Sequence, residues 1–321
     1  MLKAGIPGLF LPMRRTILLI LMLLLSLLAI LYPLISNFVN EKFRSEIRTE
    51  YYETIEEMDD GALETERHLA YEYNALLAGG VLEAYSDEGL TNASAEYTAL
   101  LNLNGDSVMG YVEIPKLGIH LPIRHGTDAQ TLESGVGHVI GSSLPVGGEN
   151  THAVLSAHSG MAREKMFSDL DQLSTGDIFF LHVLGETLAY EVDAINTVLP
   201  TDTSLLGIES ERDLATLVTC TPFGVNTHRL LVRGYRVPYT EASVEHVIAA
   251  AAEPIESTWE QEYKKGLLWG LCALLALIIG YLLFHKLTQQ PPALPVTPTH
   301  EGVLLSTIIA EIYRLQFLED S

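Results

Sequence analysis

Residues 214–237 read LATLVTCTPFGVNTHRLLVRGYRV, and this stretch decides the fold. Two apolar runs, 214–219 and 229–237, have the composition of β-strands, and the residues between them are typical of a turn. Cys220 ends the first run and Arg229 opens the second. If the runs are neighbouring strands joined by that turn, the two side chains lie at the same end of a sheet.

Short runs of the same kind continue through residues 97–240. Separated by turn residues, eight strands are predicted at 110–114, 119–124, 137–140, 151–157, 178–183, 187–198, 214–219 and 229–237. With one helix near 165–173, the pattern predicts a mainly β fold, a closed or nearly closed eight-stranded barrel. A β-sandwich fits the spacing almost as well, and periodicity alone does not choose between them.

Two long apolar segments flank this region and raise the mean hydropathy to +0.22. Residues 17–35 and 266–284 contain no charge. At about 1.5 Å per residue each is long enough, as a helix, to cross a hydrocarbon core of about 30 Å. The first is expected to be a signal anchor, because residues 32–35 (YPLI) lack a small-residue cleavage site. The second is expected to be a transmembrane helix.

Two spans would place both ends of the chain on one side of the membrane. Arg14 and Arg15 favour a cytoplasmic N-terminus, although Lys42, Arg44 and Arg48 beyond the first span weaken that argument. The predicted organisation is therefore a cytoplasmic N-terminus (1–16), a transmembrane signal anchor (17–35), an extracytoplasmic helical or lid region (36–96), the barrel (97–240), a return linker or helix (241–265), a transmembrane helix (266–284) and a cytoplasmic tail (285–321). A disordered acidic stalk is the alternative for residues 41–79.

Charge and cysteine content exclude several classes of protein. The chain has 19 basic and 41 acidic residues, and residues 36–265 carry 14 of the basic and 37 of the acidic ones. This acidity argues against a nucleic-acid partner and disfavours docking of the domain on anionic lipid. Two cysteines, Cys220 and Cys272, exclude a disulfide framework and a cysteine-built zinc site. We expect neither a metal nor a cofactor.

Cys220 is the strongest candidate for chemistry. A cationic neighbour such as Arg229 stabilises a thiolate, and its guanidinium can donate to a substrate carbonyl or an oxyanion. A thiol nucleophile also needs a proton partner. Among 11 histidines, His158 follows a predicted strand directly and precedes a flexible Ser-Gly pair. Asp202 orients a catalytic group or forms an Asx turn. The alternative for Cys220 and Arg229 is a buried apolar residue beside a surface charge.

Five short motifs together resemble the sortase family, over about residues 97–238. Residues 216–220 (TLVTC) match the signature Thr-Leu-x-Thr-Cys, and residues 157–160 (AHSG) match the strand that carries the family's histidine. Residues 226–234 (NTHRLLVRG), 110–116 (GYVEIPK) and 121–127 (LPIRHGT) resemble class C, the pilus-assembling sortases. A C-terminal membrane anchor, usual in class C, fits the second apolar segment.

The resemblance implies a sortase-type barrel and a cysteine transpeptidase of the Gram-positive cell surface. Cys220 would be the nucleophile, His158 its acid/base partner and Arg229 the stabiliser of substrate and oxyanion, with Thr219 and Asp202 in supporting or substrate-binding positions. The enzyme would cleave an LPxTG-like sorting signal between Thr and Gly, hold a thioester on Cys220 and transfer the acyl group to an amine, in class C usually a pilin lysine.

The sequence leaves the acceptor and the catalytic role itself open. The acceptor could instead be a cell-wall amine, as in sortases that attach single surface proteins, or water, as in a membrane cysteine protease. A non-catalytic β-scaffold is the fourth alternative. The protonation state of the resting Cys–His pair is also open.

Class C enzymes usually carry a lid whose Asp-Pro-aromatic triplet plugs the active site, and this sequence has no such triplet. Residues 83–86 (EAYS) stand in roughly the expected place. The hypothesis is a plug formed by Tyr85, with Glu83 facing Arg229, and the alternative is an ordinary loop.

Overall fold

A computed structural model describes residues 10–79, 95–159, 165–239, 258–288 and 307–311 of the 321. The chain divides into two compact units, Met1–Lys265 and Gly266–Ser321. The first contains the barrel and the helices before it.

The elements follow one another in the order that the sequence predicts. The helices are α1 (Phe10–Glu57), α2 (Asp60–Ala78), α3 (Ala95–Ala99), α4 (Ala129–Ser134) and α5 (Thr258–Thr288), with 3-10 turns at Pro115–Leu117 and Leu170–Gln172. The strands are β1 (Val108–Ile114), β2 (Ile119–His125), β3 (Val136–His138), β4 (Thr151–Ser156), β5 (Ile178–Val183), β6 (Glu186–Val198), β7 (Asp213–Thr221) and β8 (His228–Val237). All eight predicted strands are present, with ends displaced by two residues at most.

The helix predicted near 165–173 is a correction. In its described part this segment contains turns and only the 3-10 turn Leu170–Gln172. Its own backbone bonds span three residues, from the N–H of Ser168 to the carbonyl of Lys165 over 2.9 Å and from the N–H of Leu170 to the carbonyl of Phe167 over 3.1 Å, the pattern of successive tight turns. The N–H of Phe167 donates to the carbonyl of His158 over 3.1 Å, which ties this segment to the residue after β4.

The sheet closes into a barrel with the strand order β1-β2-β3-β4-β7-β8-β6-β5, and β5 pairs with β1. The barrel is therefore confirmed over the sandwich. The pairs β2–β3 and β4–β7 are parallel and the others are antiparallel. Closure leaves no unpaired sheet edge, which removes a route to aggregation.

Alternate residues of each strand fill the barrel. On β7, Ala215 and Leu217 belong to the main apolar core, and Val218 belongs to a second cluster on the outside. Gly234 of β8 shows how tight the interior is, because a Cβ at this position would meet the ring of Phe179 at 2.7 Å. The barrel is thus a packed core, and its chemistry must lie on the rim or the outer face.

The helices α1 and α2 pack on the outside of the barrel. The hydroxyl of Tyr51 donates to the carbonyl of Met109 over 3.1 Å and accepts from the N–H of Leu184 over 3.1 Å. The buried amide of Asn74 bonds both the N–H and the carbonyl of Leu144. Residues 41–79 are therefore docked helices rather than a disordered stalk.

The prediction of two membrane spans is not confirmed. Among the described residues, one helix is long and apolar enough to cross a membrane, Tyr263–Phe284 with a mean hydropathy of 2.5, and it contains the predicted span 266–284. The predicted span 17–35 lies within α1, but the structure does not describe the side chains of several of these residues. The first span therefore stays a prediction.

Candidate active site

The parallel pair of β4 and β7 brings His158 beside Cys220. Ser156 is the register partner of Val218, and one residue further the N–H of Ala157 donates to the carbonyl of Val218 over 3.1 Å. Continuing this register by two residues aligns His158 with Cys220. The two residues come from strands that are far apart in the sequence, and only the barrel topology makes them neighbours.

The antiparallel pair of β7 and β8 places Arg229 directly opposite Cys220. Side chains of directly opposite residues project to the same face of a sheet, with Cβ atoms about 4.5–5.5 Å apart. Both residues are half-buried, and Cys220 is a free thiol. The guanidinium of Arg229 contacts the carbonyls of Asn226 and His228 at 3.4 and 3.2 Å. Within the described part of the chain it has no carboxylate partner, which leaves its positive charge for a substrate.

The register aligns Cys220 with Arg229 across β7 and β8 and, continued two residues past the end of β4, with His158. Because side chains alternate along a strand, Cys220 faces outward with Val218, and Arg229 with Leu231. The convergence of this trio of side chains at one rim stays a prediction. A basic partner, a thiol and a cation in this arrangement can carry out nucleophilic acyl transfer.

An apolar patch that the sequence reasoning missed adjoins this trio. Its members come from six segments and form one cluster: Val154, Leu206, Val218, Leu231, Val139 and Val198. The period-two pattern of β7 and β8 carried part of the signal, since the outward residues next to the trio are apolar. Its four central members are at most 8% exposed, so the patch is a second packed cluster on the outer face of β4, β7 and β8.

Three hydrogen bonds fix the backbone around the trio. The Thr219 hydroxyl, 3% exposed, donates to the carbonyl of Ala157 over 2.8 Å. The Ser159 hydroxyl donates to the carbonyl of Cys220 over 2.6 Å, and Phe167 holds the carbonyl of His158 as described above. Thr219 faces inward, so it supports the site rather than contacting a substrate.

A buried histidine that the sequence reasoning passed over holds the connection between β6 and β7. His152 interacts through Nδ1 with the carbonyl of Gly207 at 2.8 Å and through Nε2 with the hydroxyl of Thr216 at 2.7 Å. Burial lowers the pKa of His152, which favours the neutral ring. Its position in mid-strand gave no signal of this role.

Asp202 lies exposed in the same β6–β7 connection. Its Oδ1 accepts from the N–H of Ser204 over 3.1 Å and from its hydroxyl over 2.6 Å. These bonds hold the pKa of the Asp202 carboxyl below its ordinary value. The contacts are those of an Asx turn, and none of the described ones joins Asp202 to the trio.

Two predictions about the site remain, the lid residues and the absence of a metal. Glu83 and Tyr85 lie outside the described residues, so the structure is silent on a lid. Across the described ranges, no three His, Cys, Asp or Glu side chains are grouped to hold a metal ion.

Comparison with known proteins decides the family. The family model described as Sortase domain matches residues 112–237. The crystal structure of Streptococcus pneumoniae sortase C is 45% identical, with a TM-score of 0.55, over 61% of this chain and 98% of that one. The chain belongs to the sortase family. The predicted sortase family, its barrel and its class of enzyme are thereby confirmed.

Further relatives include a second sortase C and a sortase D. Clostridium perfringens sortase C, solved with the C-terminal cell wall sorting motif, is 41% identical with a TM-score of 0.54 over 61% of this chain and all of that one (100%). Sortase D of Bacillus subtilis is 37% identical over 131 residues, 40% of this chain and 63% of the relative. The chain thus matches less than two thirds of that curated relative, whereas it covers the class C structures almost completely.

Proposed function

We propose that this sortase is a membrane-anchored cysteine transpeptidase of the pilus-assembling class. The observation that carries the proposal is the register of β4, β7 and β8, in which Arg229 lies opposite Cys220 and the continued β4–β7 register points to His158 on its other side. Each neighbour supplies what a thiol needs for acyl transfer, a proton partner on one side and a fixed cation on the other.

The reaction follows from these three side chains. With the proton of the Cys220–His158 pair on the imidazole, the Cys220 sulfur attacks the threonine carbonyl of an LPxTG-like signal as a thiolate, and Arg229 donates to the oxygen that becomes negative. His158 delivers a proton to the departing glycine amine, and the C–N bond breaks to leave a thioester. An acceptor amine then attacks the thioester, the new amide forms and the C–S bond breaks. His158 takes up the amine proton, and the Cys220–His158 pair is regenerated.

The substrate that we propose is a peptide that carries an LPxTG-like sorting signal. One of the similar structures was solved with a C-terminal cell wall sorting motif, and another concerns pilin substrate specificity. For this chain we propose a pilin lysine as the acceptor, with a cell-wall amine or water as the alternatives to be tested.

We also propose that residues 36–265 lie outside the membrane, between spans at 17–35 and 266–284. The apolar helix Tyr263–Phe284 supports the second span. The first rests on the sequence of 17–35 and on the continuity of α1, which runs from Phe10 to Glu57 without a break. Glycosylation or thiol-labelling sites placed in the tails and in the barrel would test this topology.

A trapping experiment tests the proposed reaction. The full chain is incubated with an LPxTG peptide, and the adduct is located by mass spectrometry with and without a lysine-containing acceptor peptide. We expect an acyl group on Cys220 that moves to the lysine, and none in Cys220→Ala. Cys272→Ala is the matched control, because the second cysteine lies exposed on α5 and should not matter. Adduct on Cys272, or release to water despite the acceptor, would contradict the proposal.

A lid that includes Tyr85 and Glu83 remains a separate proposal. If Tyr85 covers the thiol, Tyr85→Ala should speed alkylation of Cys220 several-fold, and Tyr239→Ala, which removes a tyrosine that is 40% exposed, should not. An unchanged alkylation rate in Tyr85→Ala would leave residues 81–96 an ordinary loop.

A further inference from the structure

A cavity of about 380 Å³ lies between α1 and the barrel, away from the catalytic trio. Its walls come from α1, from β1 and β2, and from Lys165 and Met166. The residues that matter here are Lys42, Arg44, Arg48, Lys165, Tyr111 and His120.

The cavity concentrates positive charge in an acidic domain. Residues 36–265 hold 14 basic and 37 acidic residues, yet four of the basic ones line this cavity and no carboxylate does among the described lining residues. Lys165 is partly neutralised by Asp169 at 3.0 Å. The field of Arg48 also helps to lower the pKa of Glu113, after the larger effect of a hydrogen bond from His182. Even so, the walls favour an anion.

Two buried polar atoms of the lining await a partner. Tyr111 is 1% exposed, and its hydroxyl has no hydrogen bond within the described structure. The same holds for Nε2 of His120. The Tyr111 ring is held by stacking on Tyr52, with centroids 6.1 Å apart. An unpaired buried hydroxyl is costly, so a ligand that accepts a hydrogen bond here satisfies a group that the fold leaves unsatisfied.

The position of the cavity along α1 identifies the source of the anion. Lys42 lies seven residues beyond Ile35, the end of the apolar run, or about 10 Å along the helix axis. If the run spans a bilayer, this distance puts Lys42 next to the headgroups. Exposed Phe38 stands between the run and the cations and also lines the cavity, so an apolar wall faces the membrane side.

We propose that this cavity binds the phosphate of an anionic phospholipid in the membrane that holds α1. Lys42 and Arg48 pair with the phosphate charge, and the Tyr111 hydroxyl donates to a phosphate oxygen. The acidity of the whole domain opposes general adsorption to anionic lipid, so binding is confined to this one basic site. The proposal rests on the proposed anchoring by residues 17–35.

Nanodiscs test the site with the full chain. The protein is placed in discs of phosphatidylcholine alone or with phosphatidylglycerol, and retained lipid is counted by native mass spectrometry after extraction. Lys42→Gln with Arg48→Gln should weaken phosphatidylglycerol retention about fivefold per cation. Tyr111→Phe should weaken it about tenfold, without lowering Tm in phosphatidylcholine, because the lost hydroxyl had no partner. The double variant Lys264→Gln with Lys265→Gln, whose lysines flank the other apolar segment, is the matched control and should retain phosphatidylglycerol as the wild type does.

Three results would overturn the lipid site. The first is no preference for phosphatidylglycerol, and the second is an equal loss of retention in the Lys264/Lys265 variant. The third is binding of millimolar inorganic phosphate to the protein in phosphatidylcholine discs that is as strong as the binding of phosphatidylglycerol. A thiol-labelling site placed before residue 17 separates the premise from the site, because a span at 266–284 would keep the chain in the membrane by itself. A label on the same side of the membrane as the barrel refutes both the anchor and the site, whereas a label on the opposite side without lipid preference refutes the lipid site alone. Thioester formation on Cys220, read in the same discs, reports on the proposed reaction independently.

Discussion

Thr219→Val removes one buried hydrogen bond at the point where the two catalytic strands meet. The hydroxyl of Thr219 donates to the carbonyl of Ala157 over 2.8 Å and is 3% exposed. Valine keeps the shape and the β-branching but leaves that carbonyl without this donor. We expect the free energy of unfolding to fall by about 1–2 kcal/mol. His158 and Cys220 follow these two residues directly, so their relative position should loosen as well.

The effect on chemistry should exceed the effect on stability. A misplacement of about 1 Å at a reacting pair can cost about 10²-fold in rate, so we expect thioester formation to slow about tenfold to a hundredfold at saturating peptide. The measurements are urea unfolding and single-turnover mass spectrometry. Thr151→Val is the matched control, because its hydroxyl donates to the carbonyl of Gly148 over 2.6 Å at the opposite end of the same strand pair. It should lose similar stability and keep its rate.

Equal rates in the two valine variants, at equal losses of stability, would refute this reasoning. They would show that the link between β7 and β4 at Thr219 supports the fold alone and that the alignment of His158 with Cys220 is maintained elsewhere. A rate loss in Thr151→Val as large as that in Thr219→Val would refute it as well, since the cause would then be general loosening of the barrel.

Three further outcomes are expected. Arg229→Gln should lower kcat/KM about 10²–10³-fold, because the guanidinium stabilises the developing oxyanion in the proposed reaction. Stability should change little, because Arg229 is half-exposed. A near-normal kcat/KM would remove Arg229 from the mechanism. Gly234→Ala should cost about 1–3 kcal/mol in urea unfolding, because its Cβ would overlap a core phenylalanine ring, whereas Gly207→Ala, with open space around it, should cost far less; equal costs would contradict the packing argument. Burial lowers the pKa of His138 from 6.5 to about 4, so its contribution to stability is complete above about pH 6.5 and is lost as the pH falls towards 4. The loss should reach about 3 kcal/mol, and His138→Gln should flatten the pH dependence of unfolding; an unchanged slope would show that His138 does not cause it.

The sequence predicted the strands well because each carries its own signal. Alternation of core and outward residues along β7 and β8, with a turn between them, places Cys220 opposite Arg229 without knowledge of the rest of the fold. This pair is a local, sequential hairpin. Its geometry follows from neighbouring residues alone.

Other features depend on contacts that no local pattern encodes. The pairing of β4 with β7 joins strands 62 residues apart in register, and the apolar outer patch collects residues from several segments. The helix expected near 165–173 is another case, because this segment forms successive tight turns and is tied to His158 through Phe167. The site residues were proposed from the sequence, and the register of β4, β7 and β8 supports that proposal.

The arrangement of β4, β7 and β8 explains why a barrel of this kind can hold a thiol catalyst. Because β4 and β7 run parallel, the residues after or at their ends reach the same rim, and β8 returns antiparallel from that rim with Arg229 at its start. The side-chain period of two makes the register decisive. A slip of β7 by one residue would turn Thr219 outward and bury the Cys220 sulfur in the core. The buried hydroxyl of Thr219 bonded to β4 opposes that slip, so the residue before the nucleophile protects the position of the nucleophile itself.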